Sequence, residues 1–179
     1  YAIVPLMIGS SAGAIFGATG GVMEAALRYA AEVILGKKLE VVDFPDVRGK
    51  EPACGYKVAE YKLGDLTVRV AVASGTGNAR KLLDAVKAGE LDVQFIEVMA
   101  CPGGCVNGGG QPYQPASTRM NVDLRTVRAA VLYNDDKDCD LRKSQDNLAV
   151  QKLYDEFLGK PNSEVAHHVL HTHYVKRGL

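Results

Sequence analysis

The chain has 179 residues, 47% of them hydrophobic, which is enough for one packed core and too few for two full domains. Its 21 Lys and Arg balance its 21 Asp and Glu, so no net charge favours binding to nucleic acid. No apolar stretch approaches the ~20 residues that cross a bilayer, and no charged leader precedes a cleavable apolar segment. We therefore expect a soluble, cytoplasmic protein without a membrane span, with the periplasm as the alternative location.

The first segment of the chain is rich in small residues. It opens on Tyr1 rather than Met and continues with the apolar residues 2–6, so we expect further folded sequence upstream. Residues 9–21 are mostly Gly, Ala, Ser and Thr, a composition that lets a backbone lie close to another backbone or to a ligand. Apolar side chains then recur at helical spacing as far as Gly36, which predicts a helix over residues 21–35.

The middle of the chain has the patterns of β-strands. Residues 39–44 fit a short strand. Residues 57–63 and 66–73 fit the two strands of a hairpin that turns at Gly64 and Asp65. The sequence therefore predicts three strands in succession.

A strand–loop–helix unit follows the hairpin. Residues 74–77 break the strand pattern, and Asn78 can cap a helix. The apolar face of this helix consists of Leu82, Leu83 and Val86. Residues 93–99 then predict an almost wholly apolar strand that is buried on both faces of a parallel sheet. This strand leads directly to Cys101.

The C-terminal part of the chain has helical periodicity. We predict helices over residues 122–133, 147–158 and 164–171. The acidic segment 134–140 resembles an exposed connection. Combined with the predicted strands, these elements make an α/β fold, a sheet with flanking helices followed by a helical C-terminal tail.

The most informative motif contains two cysteines, Cys101 and Cys105, with three residues between them. They follow a predicted buried strand, at the edge where open α/β sheets bind their ligands. The glycines between them let the chain curl around a bulky group, and thiolates are the usual ligands of iron–sulfur clusters. Residues 108–110, all glycine, can offer N–H groups to cluster sulfide.

The cysteine pair alone leaves other uses open. Zinc could bind it if further ligands converged on the pair. A disulfide is disfavoured because nothing marks the chain as secreted. Redox exchange of the C-x-x-C type fits poorly because the spacing here is one residue longer. Cys54 and Cys139 lie in polar segments, and we expect them to be free thiols.

Two other patterns suggest ligands more weakly. Residues 75–77 precede a predicted helix and could cradle a phosphate, but they lack the Walker lysine and the dinucleotide-binding pattern. His167 and His171 have the i, i+4 spacing of some metal sites, without the glutamate of an HExxH motif. Packing and hydrogen bonding are the favoured roles of these histidines.

The cysteine motif also carries a family resemblance. Residues 99–112, with the sequence MACPGGCVNGGGQP, resemble the last of three signature motifs of the iron-only (FeFe) hydrogenases. Residues 15–28, with the sequence IFGATGGVMEAALR, are similar to a segment that those enzymes carry upstream of it. Residues 142–147 and 166–174 resemble their wrapping C-terminal segment, which some members encode as a small subunit. The resemblance covers nearly all of the chain in the order of the family.

This resemblance implies reversible interconversion of protons and electrons with dihydrogen. The cofactor would be a 4Fe-4S cluster joined through a cysteine sulfur to a two-iron unit with CO, cyanide and dithiolate ligands, together called the H-cluster. The chain would form one lobe of the two-lobed catalytic fold. Residues 1–140 would belong to the catalytic domain, and residues 141–179 would be a small-subunit-like tail packed on the same unit.

The resemblance also implies roles for individual residues. Cys101 would be a terminal ligand of the 4Fe-4S cluster, and Cys105 would bridge that cluster and the two-iron unit. Met99 and Phe16 would pack against the two-iron unit, where an apolar shell shields the metal and shifts its potential. The cofactor would be approached by backbone at Gly17, Gly103 and Gly104.

Several residues of the family pattern have no counterpart in this sequence. They are two further cluster cysteines, a lysine that hydrogen-bonds a cyanide, and a cysteine that passes protons to the site. We therefore expect an upstream segment or a separate chain to supply the missing ligands. By the same resemblance, a ferredoxin or an NAD(P)-linked subunit would be the electron partner.

Two other functions fit the same motif. One is a non-enzymatic, Narf-like iron–sulfur assembly factor, a class that typically ends in an aromatic residue, whereas this sequence ends in Leu179. The other is a hydrogenase-like sensor fused to signalling domains. We rank both below an enzyme.

Overall fold

The computed structural model describes residues 9–178, so the expectation for residues 2–6 lies outside the described part. Its sheet begins with a hairpin of β1 (Tyr56–Leu63) and β2 (Leu66–Ser74), which pair antiparallel. β3 (Phe95–Met99) pairs parallel with β2, so the strand order is β1-β2-β3. The hairpin is confirmed within one residue at each end, and β3 begins two residues later than predicted.

Helices lie on both faces of this sheet, as the predicted α/β class requires. α2 (Gly21–Leu35) packs on one face and α3 (Thr76–Lys87) on the other. The other helices of the described residues are α1 (Ser11–Ala14), α4 (Ala116–Asn121), α5 (Leu124–Asp138), α6 (Leu148–Leu153) and α7 (Glu164–Leu170). The predicted helix over residues 21–35 is confirmed with the same bounds.

Among the described residues, two apolar clusters lie on opposite faces of the sheet. On one face, α2 buries Met23, Leu27 and Ala31 against the hairpin residues Ala59, Leu63, Val70 and Val72. On the other face, Leu82 of α3 packs against Ala71 and Ala73 of β2. Because side chains alternate along a strand, β2 serves both clusters and is the central strand of the sheet.

The predicted strand over residues 39–44 is wrong. The segment is irregular and ends in a 3-10 turn, Pro45–Val47. Its backbone groups bond to side chains of α2, since Arg28 Nε donates to the Val42 carbonyl (2.9 Å) and Leu39 N donates to Glu32 (2.9 Å). The apolar pattern there reflects burial of Phe44 against the core, not pairing with a strand.

Burial of β3 on both faces was also predicted wrongly. Phe95 is 47% exposed and Val98 is 50% exposed. β3 is an edge strand in the part of the chain that the structure describes, and Phe95 and Val98 point to opposite faces, so both of its faces are only partly covered. Apolar composition reports the tendency to be buried but not the position of a strand within its sheet.

Two predicted features of the helices need correction. The N-cap of α3 is Gly75, and Asn78 lies inside the helix with its side-chain amide donating to the Ser74 carbonyl (2.8 Å). α5 runs on to Asp138, so the acidic segment 134–140 is mostly helix and not a connection, although most of its side chains are exposed as predicted.

The tail follows the predicted helices with local differences. Asn147 caps α6, which continues into a π-helical turn, Tyr154–Leu158. Ser163 caps α7 through a hydrogen bond from the Ala166 N–H (3.1 Å). Every helix within residues 9–178 is too short or too polar to span a bilayer.

Candidate metal centre

The two cysteines lie on one short turn that starts where β3 ends. Gly104 N donates to the Cys101 carbonyl (2.9 Å), and a 3-10 turn, Cys105–Asn107, follows at once. Gly108 N then donates to the Cys105 carbonyl (3.0 Å). Both cysteines are free thiols, Cys101 half-buried and Cys105 exposed, so a group outside this chain segment can reach them.

The glycines between the cysteines let this turn lie directly on the first loop of the chain. Gly104 has φ +90°, and a Cβ there would lie 2.7 Å from the carbonyl oxygen of Gly17 and from Thr19 N. Gly103 has φ +86°, and its carbonyl accepts a hydrogen bond from Thr19 N (3.1 Å). The close approach expected for residues 9–21 is therefore an approach to the cysteine turn.

The structure brings the other predicted site residues near this turn. Phe16 and Gly17 belong to a 3-10 turn, Ile15–Gly17, that contacts the turn of Cys105. Phe16 is 44% exposed, and Met99 is the half-buried last residue of β3. A Cβ on Gly17 would lie 2.7 Å from Leu132 of α5, so this glycine packs closely against that helix.

Glu97 connects the strand that carries the cysteine turn to the loop beside it. Its side chain is 5% exposed and accepts hydrogen bonds from Gly20 N (2.7 Å) and Met23 N (2.6 Å) at the start of α2. These N–H groups have no partner within the helix, and the helix dipole favours a carboxylate there. Burial raises the pKa of Glu97 and outweighs the opposing effect of the two backbone hydrogen bonds.

The sequence did not identify Glu97 as a residue of this site. One acidic residue within an apolar strand was the available signal, but its partners lie more than 70 positions away in the sequence. A backbone N–H can be offered by almost any residue, so the sequence did not indicate which segment Glu97 would bind.

A second polar cluster fixes α5 relative to α2. The fully buried Arg28 donates to Glu24 (2.8 Å) and to both carboxylate oxygens of the fully buried Asp136 (2.7 Å each). Arg142 also donates to Asp136 (2.7 Å), and Arg48 to Glu24 (2.5 Å). α5 in turn supports the cysteine turn and the loop of Phe16.

The remaining candidate residues lie in other contacts. Cys54 is exposed, and its thiol donates to the Tyr56 carbonyl (3.1 Å), whereas the Cys139 thiol donates to the Leu141 carbonyl (3.7 Å). The rings of His167 and His171 are stacked with their centroids 4.5 Å apart. Within residues 9–178, no three His, Cys, Asp or Glu side chains are grouped so that they could hold a metal ion.

The donor set of the cysteine turn fits part of an iron–sulfur site. It supplies two thiols four positions apart on glycine-containing backbone, which is the kind of ligand such clusters use. A Cβ on Gly108 would lie 3.9 Å from Cys101 Sγ, so a longer side chain at this position would crowd the sulfur. The remaining ligands of a four-iron cluster would have to come from another part of the protein.

The buried carboxyl group of Glu97 leads to a prediction about pH. Because its pKa is raised on folding, the folded protein holds more protons than the unfolded chain between the ordinary glutamate pKa of about 4.3 and the raised value. The free energy of unfolding should therefore fall as the pH rises through this interval, and Glu97→Gln should remove that contribution. Denaturant unfolding of the whole protein at several pH values measures the difference between the two proteins.

The control for this experiment is Glu60→Gln on β1, because the Glu60 side chain is 55% exposed. This variant shows how the loss of an exposed carboxylate changes the dependence of the free energy of unfolding on pH. Parallel pH curves for wild type and Glu97→Gln would contradict the prediction.

Comparison with known proteins identifies two family models along the chain. The model described as "Iron only hydrogenase large subunit, C-terminal domain" matches residues 4–109. The model described as "Iron hydrogenase small subunit" matches residues 122–177. The two matches together cover most of the chain.

Individual relatives agree with these matches. The NADP-reducing hydrogenase subunit HndD of Solidesulfovibrio fructosivorans is 51% identical over 173 residues, which are 97% of this chain and 28% of that protein. A variant of the FeFe-hydrogenase HydA1 from Chlamydomonas reinhardtii superposes with TM-score 0.67 and 39% identity, over 94% of this chain and 47% of that one. The chain thus spans less than a third of that relative and about half of that structure.

An assembly protein is also similar to this chain, at lower identity. The cytosolic iron-sulfur assembly component 3 of Rattus norvegicus is 32% identical over 158 residues, which are 88% of this chain and 31% of that protein. The sequence is therefore closer to the hydrogenase subunit than to this assembly component.

Proposed function

Because the chain belongs to the iron-only hydrogenase family, we propose that it forms part of the site where protons and electrons are reversibly converted to dihydrogen. The observation that carries this proposal is the pair of free thiols on one glycine-containing turn, at the end of a strand and beside the loop of Phe16. A cytoplasmic or periplasmic location is compatible with it.

In this proposal the cysteine turn holds the metal. Cys101 would hold a 4Fe-4S cluster as a terminal ligand, and Cys105 would hold both this cluster and a two-iron unit with CO, cyanide and dithiolate ligands. When bound, this group would supply the redox chemistry, passing electrons between the electron partner and protons. Gly17, Gly103 and Gly104 bring backbone close to it, and the side chains of Phe16 and Met99 exclude water from the metals.

The proposal requires other parts of the protein. An upstream segment or a separate chain supplies the other cluster cysteines, and a ferredoxin or an NAD(P)-linked subunit exchanges electrons with the site. Residues 1–140 act as the C-terminal part of the catalytic domain, and residues 141–179 as the small-subunit-like tail.

Infrared spectroscopy of the whole protein, matured without oxygen, tests this function. We expect CO and cyanide stretching bands together with hydrogen evolution from a chemical reductant. Cys105→Ala should lose both, because the two-iron unit loses its connection to the four-iron cluster. Cys54→Ala should keep both, because this exposed cysteine bonds only to a nearby carbonyl.

The opposite result would identify the competing function. A protein that contains its iron–sulfur cluster but shows neither CO nor cyanide bands would be an assembly factor of the type to which this chain is 32% identical. That outcome would overturn the hydrogenase proposal.

A further inference from the structure

Arg128 of α5 holds both sides of the glycine loop that follows the cysteines. Its Nη1 donates to the Val106 carbonyl (3.1 Å), and its Nη2 donates to the Pro112 carbonyl (3.0 Å). These two carbonyls lie on either side of residues 108–110. The planar guanidinium offers several N–H groups in fixed directions, so one side chain can close the loop at two points.

Closure of this loop is transmitted to Cys105. The Cys105 carbonyl accepts from Gly108 N (3.0 Å) and from the side-chain amide of Gln111 (3.3 Å), and Gln111 N donates to the Gly108 carbonyl (3.1 Å). Gln111 adjoins Pro112, and Val106 adjoins Cys105. The two carbonyls that Arg128 binds are therefore next to the cysteine and next to the glutamine that bonds to it.

Two of the glycines between these anchors, Gly109 and Gly110, have little support from neighbouring atoms. A Cβ built on Gly109 or Gly110 would meet no atom within 4 Å among the described residues. Glycine also has the largest conformational freedom to lose on folding. Arg128 therefore restrains the shape of this loop together with the hydrogen bonds of Gly108 and Gln111.

We propose that Arg128 is a positioning residue that fixes the Cys105 thiol for cluster binding by closing the loop of residues 106–112. This inference rests on the proposed function, in which the two thiols hold a cluster. Arg128 lies within residues 122–177, which match the small-subunit model, but before the proposed tail of residues 141–179.

Two substitutions separate the shape of the side chain from its charge. Arg128→Met removes both hydrogen bonds and the charge. Arg128→Lys keeps the charge but cannot donate from a planar fork to two carbonyls. The matched control is Arg119→Met on α4, because Arg119 also bonds near this loop, to the hydroxyl of Tyr113 (3.3 Å), but to no carbonyl of residues 101–112.

Hydrogen exchange is the first measurement, and it does not need the cluster. In the whole protein, we expect Arg128→Met to speed exchange of the amides of residues 105–111 about tenfold, because two hydrogen bonds that hold the loop are lost. Arg128→Lys should lie between wild type and Arg128→Met, and Arg119→Met should match wild type. Unchanged exchange in Arg128→Met would overturn the inference.

The second measurement concerns the cluster. After reconstitution with iron and sulfide, Arg128→Met should hold the four-iron cluster about 10- to 100-fold less tightly, as substitution of supporting residues around metals commonly does. The electron paramagnetic resonance spectrum of its reduced cluster should also be altered. Equal cluster retention and an identical spectrum in Arg128→Met and wild type would overturn the inference.

The two proposals fail in different ways. If the wild-type protein binds no cluster with Cys101 and Cys105, the proposed function fails and the claim that Arg128 serves cluster binding fails with it. Exchange of the amides of residues 105–111 would still decide whether Arg128 closes the loop. If wild type binds the cluster and Arg128→Met leaves exchange unchanged, only the inference fails.

Discussion

Asp136→Asn is expected to lower the free energy of unfolding by about 3–5 kcal/mol, the usual cost of removing one partner from a buried ion pair. The carboxylate of Asp136 accepts from two nitrogens of Arg28, from Arg142 and from Ser11. Asparagine has nearly the same shape but no charge, and its NH2 group would face the guanidinium of Arg28. The buried arginine would keep its charge without full compensation.

The pKa of Asp136 supports this expectation. Burial raises the pKa, but hydrogen bonds from Arg28, Arg142 and Ser11 outweigh burial and hold the pKa of Asp136 well below its ordinary value. A carboxyl group with a lowered pKa stabilises the folded state above its unfolded pKa of about 3.9. This contribution is lost as the pH falls below about 3.9 towards the folded pKa, so wild type should lose more stability in acid than Asp136→Asn.

Denaturant unfolding of the whole protein, with Asp84→Asn as control, measures the effect. Asp84 forms an exposed i, i+4 pair with Arg80 (3.9 Å), and its loss should change the free energy of unfolding by less than about 0.5 kcal/mol. The double variant Arg28→Met with Asp136→Asn should cost less than the two single variants added together, because the two residues share one interaction. The prediction would be contradicted if Asp136→Asn lowered the free energy of unfolding no more than Asp84→Asn does.

Local patterns in the sequence predicted most of the fold. The helix Gly21–Leu35 has both a helical apolar period and a glycine after its last residue, and the hairpin has an alternating pattern with a turn at Gly64. These signals lie within the element that they predict. The residues that determine each of these elements therefore lie within the element itself or next to it in the sequence.

The errors arise where the structure depends on distant partners. Residues 134–140 are acidic, which favoured an exposed connection, yet Asp136 is buried because Arg28, 108 positions away, compensates its charge. Residues 39–44 have the composition of a strand, but Arg28 takes the carbonyl of Val42 that strand pairing would need. Neither of these two hydrogen-bonded pairs can be recognised from the residues next to it in the sequence.

The candidate site was predictable to a similar extent. The cysteines and their glycines follow from the motif, and the structure places the loop of Phe16 beside them. Glu97 and Arg128 were not predicted to act at this site, because both act by hydrogen bonds to the backbone of other segments. Every residue has a backbone carbonyl, and almost every residue has a backbone N–H, so the sequence does not indicate which of these groups a distant side chain will bind.

Gly104→Ala is expected to separate the cysteine turn from the loop beneath it. The new methyl group would lie 2.7 Å from both the Gly17 carbonyl oxygen and Thr19 N, and backbone atoms cannot yield as a flexible side chain can. The φ of +90° is itself costly for alanine. Strained backbone costs about 1–3 kcal/mol and overpacking about as much again, so we expect a total loss of about 2–6 kcal/mol.

The matched control for Gly104→Ala lies five residues further along the same motif. A Cβ on Gly109 would meet no described atom within 4 Å, and Gly109 is not among the glycines with positive φ, so Gly109→Ala should change the free energy of unfolding by less than about 1 kcal/mol. Denaturant unfolding compares the two variants, and visible absorbance of the reconstituted protein reports whether Gly104→Ala still binds iron and sulfide. If Gly104→Ala is no less stable than Gly109→Ala, the turn does not need the contact with residues 17–19. The close approach of the two segments would then not hold the cysteines in place.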